Sequence, residues 1–265
     1  MPMRRSLLVL SLLVLGHVGA ASAAMVAKPV QWTDNGVTYK SFLVYDDAVT
    51  TKRPGLLMVP NWFGVNDMAV AKAKEIAGKD YVILLTDMYG GDKRPSNEGE
   101  AGTAVKPLYA DRKLMRQRVS RAFTELKAQA KNAPIDTAKL AAIGFCFGGS
   151  AVLDLARDGA DLAAVVTFHG ILTTDAKLPS NVHGSVLVLT GADDQGVPME
   201  QRAAFETEMR DAKVDWALET FGGAVHCFTE KEATTATGNC RYDAKVAHRA
   251  YAAMHAWLKE AFAKQ

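Results

Sequence analysis

Hydrophobic positions along the chain change period in a regular way. Val37 to Tyr45 (VTYKSFLVY) alternates as a strand does, whereas Gly55 to Pro60 (GLLMVP) and Tyr81 to Thr86 (YVILLT) are short apolar runs suited to strands buried on both faces. Between them, Asp67 to Lys79 carries apolar residues at three- and four-residue spacing, which predicts a helix. A second helix is expected over Pro107 to Ala130. The rhythm then repeats: strands at Leu140 to Ile143, Leu162 to Phe168, Ser185 to Thr190 and Trp216 to Phe221 alternate with helices at Phe147 to Arg157, Met199 to Lys213 and Asp243 to Ala263. Alternating helices and apolar strands predict an α/β fold with a mostly parallel central sheet and helices on both faces. In such a sheet, ligands bind beyond the carboxyl ends of the strands. The loops after Pro60, Thr86, Ile143, Thr190 and Phe221 are therefore where chemistry is sought.

Two segments depart from this rhythm. Met88 to Lys106 is rich in Gly, Asp, Pro and Asn and is too long for a plain connection, so a surface loop or lid with short structure of its own is expected. Residues 1–23 carry Arg4 and Arg5, an apolar run from Leu7 to Val18, and Ala21-Ser22-Ala23. That is the pattern of a cleaved secretory signal peptide, and the run is short of the roughly 20 residues a membrane span needs. The expectation is an exported, periplasmic or secreted protein, with a single domain over 24–265 and no stable membrane anchor once the signal is cleaved.

Charge and cysteine content sharpen this picture. The 31 basic and 29 acidic residues nearly balance, and Arg4 and Arg5 account for the excess. Nothing favours nucleic acid or an anionic membrane, so a small molecule is the expected partner. Export would bring the three cysteines, Cys146, Cys227 and Cys240, into an oxidising compartment, where one of an odd number is left over or pairs between chains.

Cys146 stands in Gly144-Phe145-Cys146-Phe147-Gly148-Gly149, between a predicted strand and a predicted helix. This is the G-x-S-x-G nucleophile elbow with Cys in place of Ser. The tight turn requires glycine at 144 and 148 and raises Cys146 above a helix N-terminus, where the helix dipole favours a thiolate. The plainer alternative, a nucleotide-binding turn, has the wrong spacing and should come earlier in the chain. A base and an orienting acid should follow in the order nucleophile, acid, histidine. His226, just past a predicted strand, suits the base; His248 and His255 read as helix-face residues, and His169 as a strand-end residue near the site. Gly191 to Pro198 offers Asp193 and Asp194, either of which could reach.

Taken together, Asn61-Trp62-Phe63-Gly64-Val65-Asn66, the Cys146 elbow, Asp194-Gln195-Gly196-Val197-Pro198 and His226-Cys227-Phe228 resemble the dienelactone hydrolase family of α/β-hydrolases, over essentially the whole length after the leader. The resemblance implies an α/β-hydrolase fold, no cofactor and no metal. It implies a triad of Cys146, Asp194 and His226, with Asp194 chosen over Asp193 by the family's spacing from Gly191, and an oxyanion hole built from the backbone N–H groups of Trp62 and Phe147. Asn61, Phe63, Tyr89 and Arg94 become candidate pocket residues. Well-studied members carry a Glu that helps activate the thiol, and Asn61 occupies the matching position. They also hold a substrate carboxylate with arginines; Arg94 is the candidate substitute for one, whereas Glu230 stands at the other and would repel an anion, so dienelactone itself is not the expected substrate. With Cys146 as nucleophile, Cys227 and Cys240 are free to bridge. The expected activity is hydrolysis of carboxylic esters or lactones through an acyl-thioenzyme; the alternative is an exported small-molecule binding protein that keeps the fold without turnover. A metal protein is disfavoured because only the adjacent His226 and Cys227 share a loop.

Overall fold

A computed structural model describes residues 25–175 and 181–265, so the predicted leader lies outside the described residues. Strands β1 (Met25–Asp34), β2 (Val37–Asp46), β3 (Arg53–Val59), β4 (Val82–Leu85), β5 (Ile135–Phe145), β6 (Ala164–Phe168), β7 (Ser185–Gly191) and β8 (Trp216–Phe221) form one sheet in the order β1-β2-β4-β3-β5-β6-β7-β8. The β1–β2 and β2–β4 pairs are antiparallel, and all others are parallel. Between the strands run helices α1 (Asp67–Ala77), α2 (Glu98–Ala110), α3 (Arg112–Ala128), α4 (Phe147–Arg157) and α5 (Met199–Asp211), and α6 (Ala244–Ala263) closes the chain. This is the α/β-hydrolase architecture, with a mostly parallel eight-stranded sheet flanked by helices.

The apolar runs become strands because both faces of the sheet are covered. Successive side chains on β3 alternate between two layers: Leu57 and Val59 pack with residues of α2, α3 and α4, and Leu56 and Met58 with residues of α1 and α6. A smaller apolar cluster lies beneath α5, where Phe205 and Met209 meet Val186 and Val188 of β7. Helix starts are fixed by side chains: Asn66 accepts from the Ala69 N–H to open α1, and Asp243 from the Val246 N–H to open α6.

Three elements differ from the sequence expectation. Strand β1 is an additional edge strand, joined to β2 by a tight turn in which Asn35 and Gly36 both have positive φ (48° and 77°). Strand β5 begins at Ile135, earlier than expected, and its register against β3 shifts between Pro54 and Gly55. The predicted helix over Pro107 to Ala130 is two helices. Asp111 leaves the helical conformation (φ −125°, ψ 85°) and its carboxylate accepts from the Leu114 N–H, so it ends α2 and caps α3. Most of α2 lies within the segment expected to be a loop or lid.

Candidate active site

The carboxyl ends of β3, β5, β7 and β8 bring four loops to one edge of the sheet. Cys146 sits between β5 and α4 with φ 52° and ψ −118°, a strained conformation for a residue with a side chain. Close packing around the turn holds it there. A Cβ on Gly144 would lie 2.1 Å from the Gly148 carbonyl oxygen, and one on Gly148 would lie 2.1 Å from the Val59 carbonyl oxygen. The Cys146 N–H donates to the Phe168 carbonyl at 2.9 Å, and its side chain caps nothing, so the sulfur projects from the turn. Phe147 opens α4, and neither its N–H nor that of Trp62 donates a hydrogen bond among the described residues.

The two aspartates after β7 are separated by burial. Asp193 is exposed, whereas Asp194 is 2% exposed and its Oδ2 lies 2.8 Å from His226 Nδ1. Its Oδ1 accepts from the Gly196 N–H at 2.8 Å and from Asn239 Nδ2 at 3.3 Å. Burial alone would raise the Asp194 pKa, but the bond and charge of His226 and these two donors hold it below the usual carboxylate value. His226 shows the complementary effect. Burial pulls its pKa down, yet the hydrogen bond to Asp194 with its charge, and the Cys146 side chain nearby, raise it to about 10. The imidazole is thus bound to Asp194 with Cys146 beside it. His169, at the end of β6, packs its ring 4.9 Å from that of His226 and shares a 2.8 Å hydrogen bond with Thr229. Complete burial, with the His226 and Lys72 charges nearby, drives its pKa well below 6.5, so it stays neutral.

Cys146 and His226 open into a cavity of about 430 Å³ whose walls include Trp62, Phe63, Tyr109, Ala233 and the Cys227–Cys240 disulfide. Asn61 also lines it and organises the loop after β3: its Oδ1 accepts from the Phe63 N–H at 3.0 Å, and its Nδ2 donates to Glu230 Oε2 at 2.7 Å. Glu230 is further paired with Lys72 at 2.7 Å. Tyr89 does not line the cavity. It stacks behind it on Phe147, with ring centres 6.1 Å apart, and donates its hydroxyl to the Trp62 carbonyl at 2.6 Å. Arg94, expected in the pocket, is not there either. Its guanidinium is drawn to the buried Asp87 carboxylate at 3.3 Å and to the Lys40 carbonyl at 3.0 Å, away from Cys146. In its place α2 supplies Glu98 and Tyr109 to the wall, and the segment after β8 supplies Glu232. Asn239 belongs to none of the sequence motifs, and its neighbour Cys240 is the signal that points to it. Among the described residues, no group of three or more His, Cys, Asp or Glu is arranged to hold a metal.

The model of the family described as "Dienelactone hydrolase family" matches residues 40–262. The chain belongs to the dienelactone hydrolase family. A crystal structure of a dienelactone hydrolase-like promiscuous phosphotriesterase from metagenomic libraries is 36% identical, with a TM-score of 0.84, over 91% of this chain and 100% of that one. A protein of Bradyrhizobium sp named "Probable 2-oxo-3-(5-oxofuran-2-ylidene)propanoate lactonase" is 28% identical over 215 residues, 76% of this chain and 84% of that protein. The deep-sea metagenome α/β-hydrolase MGS-M1 shares the fold at a TM-score of 0.62 and 19% identity, covering 91% of this chain and 99% of that one. This dienelactone hydrolase-family protein is thus a hydrolase of the lactonase and esterase type.

Proposed function

We propose that the protein is an exported hydrolase of uncharged carboxylic esters or lactones, with Cys146 as nucleophile, His226 as acid and base, and Asp194 as the orienting carboxylate. The observation that carries this reading is the His226 ring, hydrogen-bonded through Nδ1 to the buried Asp194 and lining the same largely apolar cavity as Cys146. The Cys146 thiolate attacks the carbonyl carbon, and the oxyanion that develops is met by the N–H groups of Trp62 and Phe147. As the tetrahedral intermediate collapses, the His226 imidazolium passes its proton to the departing alkoxide, leaving an acyl-thioenzyme. His226, now neutral, takes a proton from water, which attacks the thioester and releases the acid. Cys146 returns as the thiolate and His226 as the imidazolium.

The charge of the cavity wall supports the restriction to uncharged substrates. Glu98, Glu230 and Glu232 line it, with no Lys or Arg. Glu230 is offset by Lys72, which leaves two exposed carboxylates facing an incoming substrate. A carboxylate-bearing lactone would meet repulsion at the mouth. Export is supported by the leader pattern and by the disulfide, which persists in an oxidising compartment. The test is turnover of a neutral p-nitrophenyl ester, its carboxylate-bearing analogue and a neutral phosphotriester, the last because of the activity named for the 36% identical structure. The neutral carboxylic ester should react fastest, and no turnover of either carboxylic ester would sink the reading.

A further inference from the structure

The contacts that hold His226 against Asp194 close into a ring that includes a side chain outside the triad. From His226 the chain steps to Cys227, crosses the disulfide to Cys240 and steps back to Asn239. Asn239 Nδ2 donates to Asp194 Oδ1 at 3.3 Å, and Asp194 Oδ2 returns to His226 Nδ1 at 2.8 Å. The other end of the same amide is engaged as well, since Asn239 Oδ1 accepts from the Gln195 N–H at 2.9 Å. One side chain therefore grips both the carboxylate and the backbone beside it.

We propose that Asn239 is a positioning residue for the triad, kept in register by the Cys227–Cys240 disulfide, so that reduction of the disulfide lowers turnover through Asn239. This rests on the Cys146–His226–Asp194 reading. A carboxylate turns about its last side-chain bond unless both oxygens are bound by fixed donors. The Asn239 amide joins the Gly196 N–H, 2.8 Å away, on Oδ1, and together they keep Oδ2 aimed at the imidazole. Residues 234–238 before it are exposed and belong to no helix or strand, tied by the Thr235 hydroxyl to the Cys240 carbonyl and by the Arg241 guanidinium to the Ala236 carbonyl. What holds it is the covalent bridge next to it, with the isolated pairing of His226 and Cys240 and the Arg241 N–H on the His226 carbonyl at 3.0 Å.

The test compares wild type, Asn239→Ala and the nearly isosteric Asn239→Asp, each before and after treatment with dithiothreitol. The reagent attacks one sulfur of the bridge and then closes on itself; its two thiols become one disulfide while Cys227 and Cys240 become thiols. Cys146, already a thiol, is unchanged. Four quantities are read: kcat and KM for a neutral p-nitrophenyl ester, the acidic limb of kcat/KM against pH, and the proton resonance of His226 Nδ1–H. Asn239→Ala should lower kcat about tenfold with KM within about twofold. Its acidic limb should move to higher pH, because Asp194 has lost a donor that favours its ionised form. Asn239→Asp, which sets a second carboxylate against Asp194, should lose more. Reduction should slow wild type to about the rate of Asn239→Ala and slow that variant by less than about twofold, the non-additivity of groups acting as one unit. Wild-type kcat and pH limb in Asn239→Asp would overturn the proposal, and additive losses on reduction would remove the disulfide from it. If wild type turns over no ester, the resonance decides: a shift in Asn239→Ala keeps the positioning role while the hydrolase reading falls, and an unmoved resonance ends both.

Discussion

Cys146 and His226 meet in one cavity but are held by opposite means. The elbow around Cys146 is fixed by close approach: glycine backbones at 144 and 148 lie against carbonyls where a single methyl has no room, and α4 behind them is buried along its whole length. The chain on either side of His226 is buried at Ala224 and at Phe228 to Glu230, but the turn before it and the segment after it are open. A Cβ on Gly222 or Gly223 would meet nothing within 4 Å, and most of residues 231–240 are exposed. Close packing fixes Cys146, whereas His226 also depends on a disulfide and a few hydrogen bonds. An exposed stretch such as residues 231–240 needs cross-links, because ordering it costs conformational entropy that burial does not repay.

The contrast can be broken most severely at the elbow. Gly148→Ala drives a methyl into the β3 backbone, and we expect destabilisation above about 4 kcal/mol, seen as failure to fold or a collapse in Tm. Next in size is the bridge. The paired substitution Cys227→Ser with Cys240→Ser frees a loop with a sequence separation of 13 and should lower stability by about 3 kcal/mol, measured by chemical denaturation. If the paired variant is as stable as wild type, the loop is ordered by something other than the bridge.

A graded effect is expected from pH. His226 has a folded pKa of about 10, so its contribution is complete below 6.5 and fades as the pH rises through 10. His169, buried and neutral, works the other way: its pKa is depressed, so stability falls as the pH drops below 6.5. Asp194 adds to the acid-side loss once the pH falls below the ordinary carboxylate value. Tm should therefore peak near pH 6.5, and His169→Asn, which tolerates the positive φ at that position, should flatten the acid side. An acid side of unchanged slope in that variant would show that His169 titrates as it does in the unfolded chain. The smallest effect belongs to the open loop itself: Gly222→Ala should change stability by no more than about 0.5 kcal/mol in the same denaturation assay.

The same contrast separates what could be read in the sequence from what could not. The elbow is local, so Gly144, Cys146 and Gly148 were recognisable from spacing alone, and the strand ends placed His226 and the Asp193–Asp194 pair at the same edge, with the family resemblance choosing Asp194. The turn at Asn35 and Gly36 is a local hairpin signal, and strand β1 follows from it by pairing with β2. Arg94 was expected in the pocket because only its neighbours in sequence were visible, whereas its partner Asp87 becomes a neighbour through folding. Glu98, Tyr109 and Asn239 reach the site across long stretches of chain, and no periodicity carries such contacts. The break at Asp111 shows how a residue that caps a helix can divide one apolar pattern into two elements.

The central claim is that the Cys146 sulfur forms a covalent acyl intermediate. Intact mass spectrometry after rapid mixing with an activated neutral ester measures this directly, with Cys146→Ala alongside. The account predicts a mass increase of one acyl group on wild type, mapped to Cys146, which appears before product accumulates and is absent from the variant. An ester consumed at the wild-type rate by Cys146→Ala, or an acyl group carried on any other residue, would contradict it.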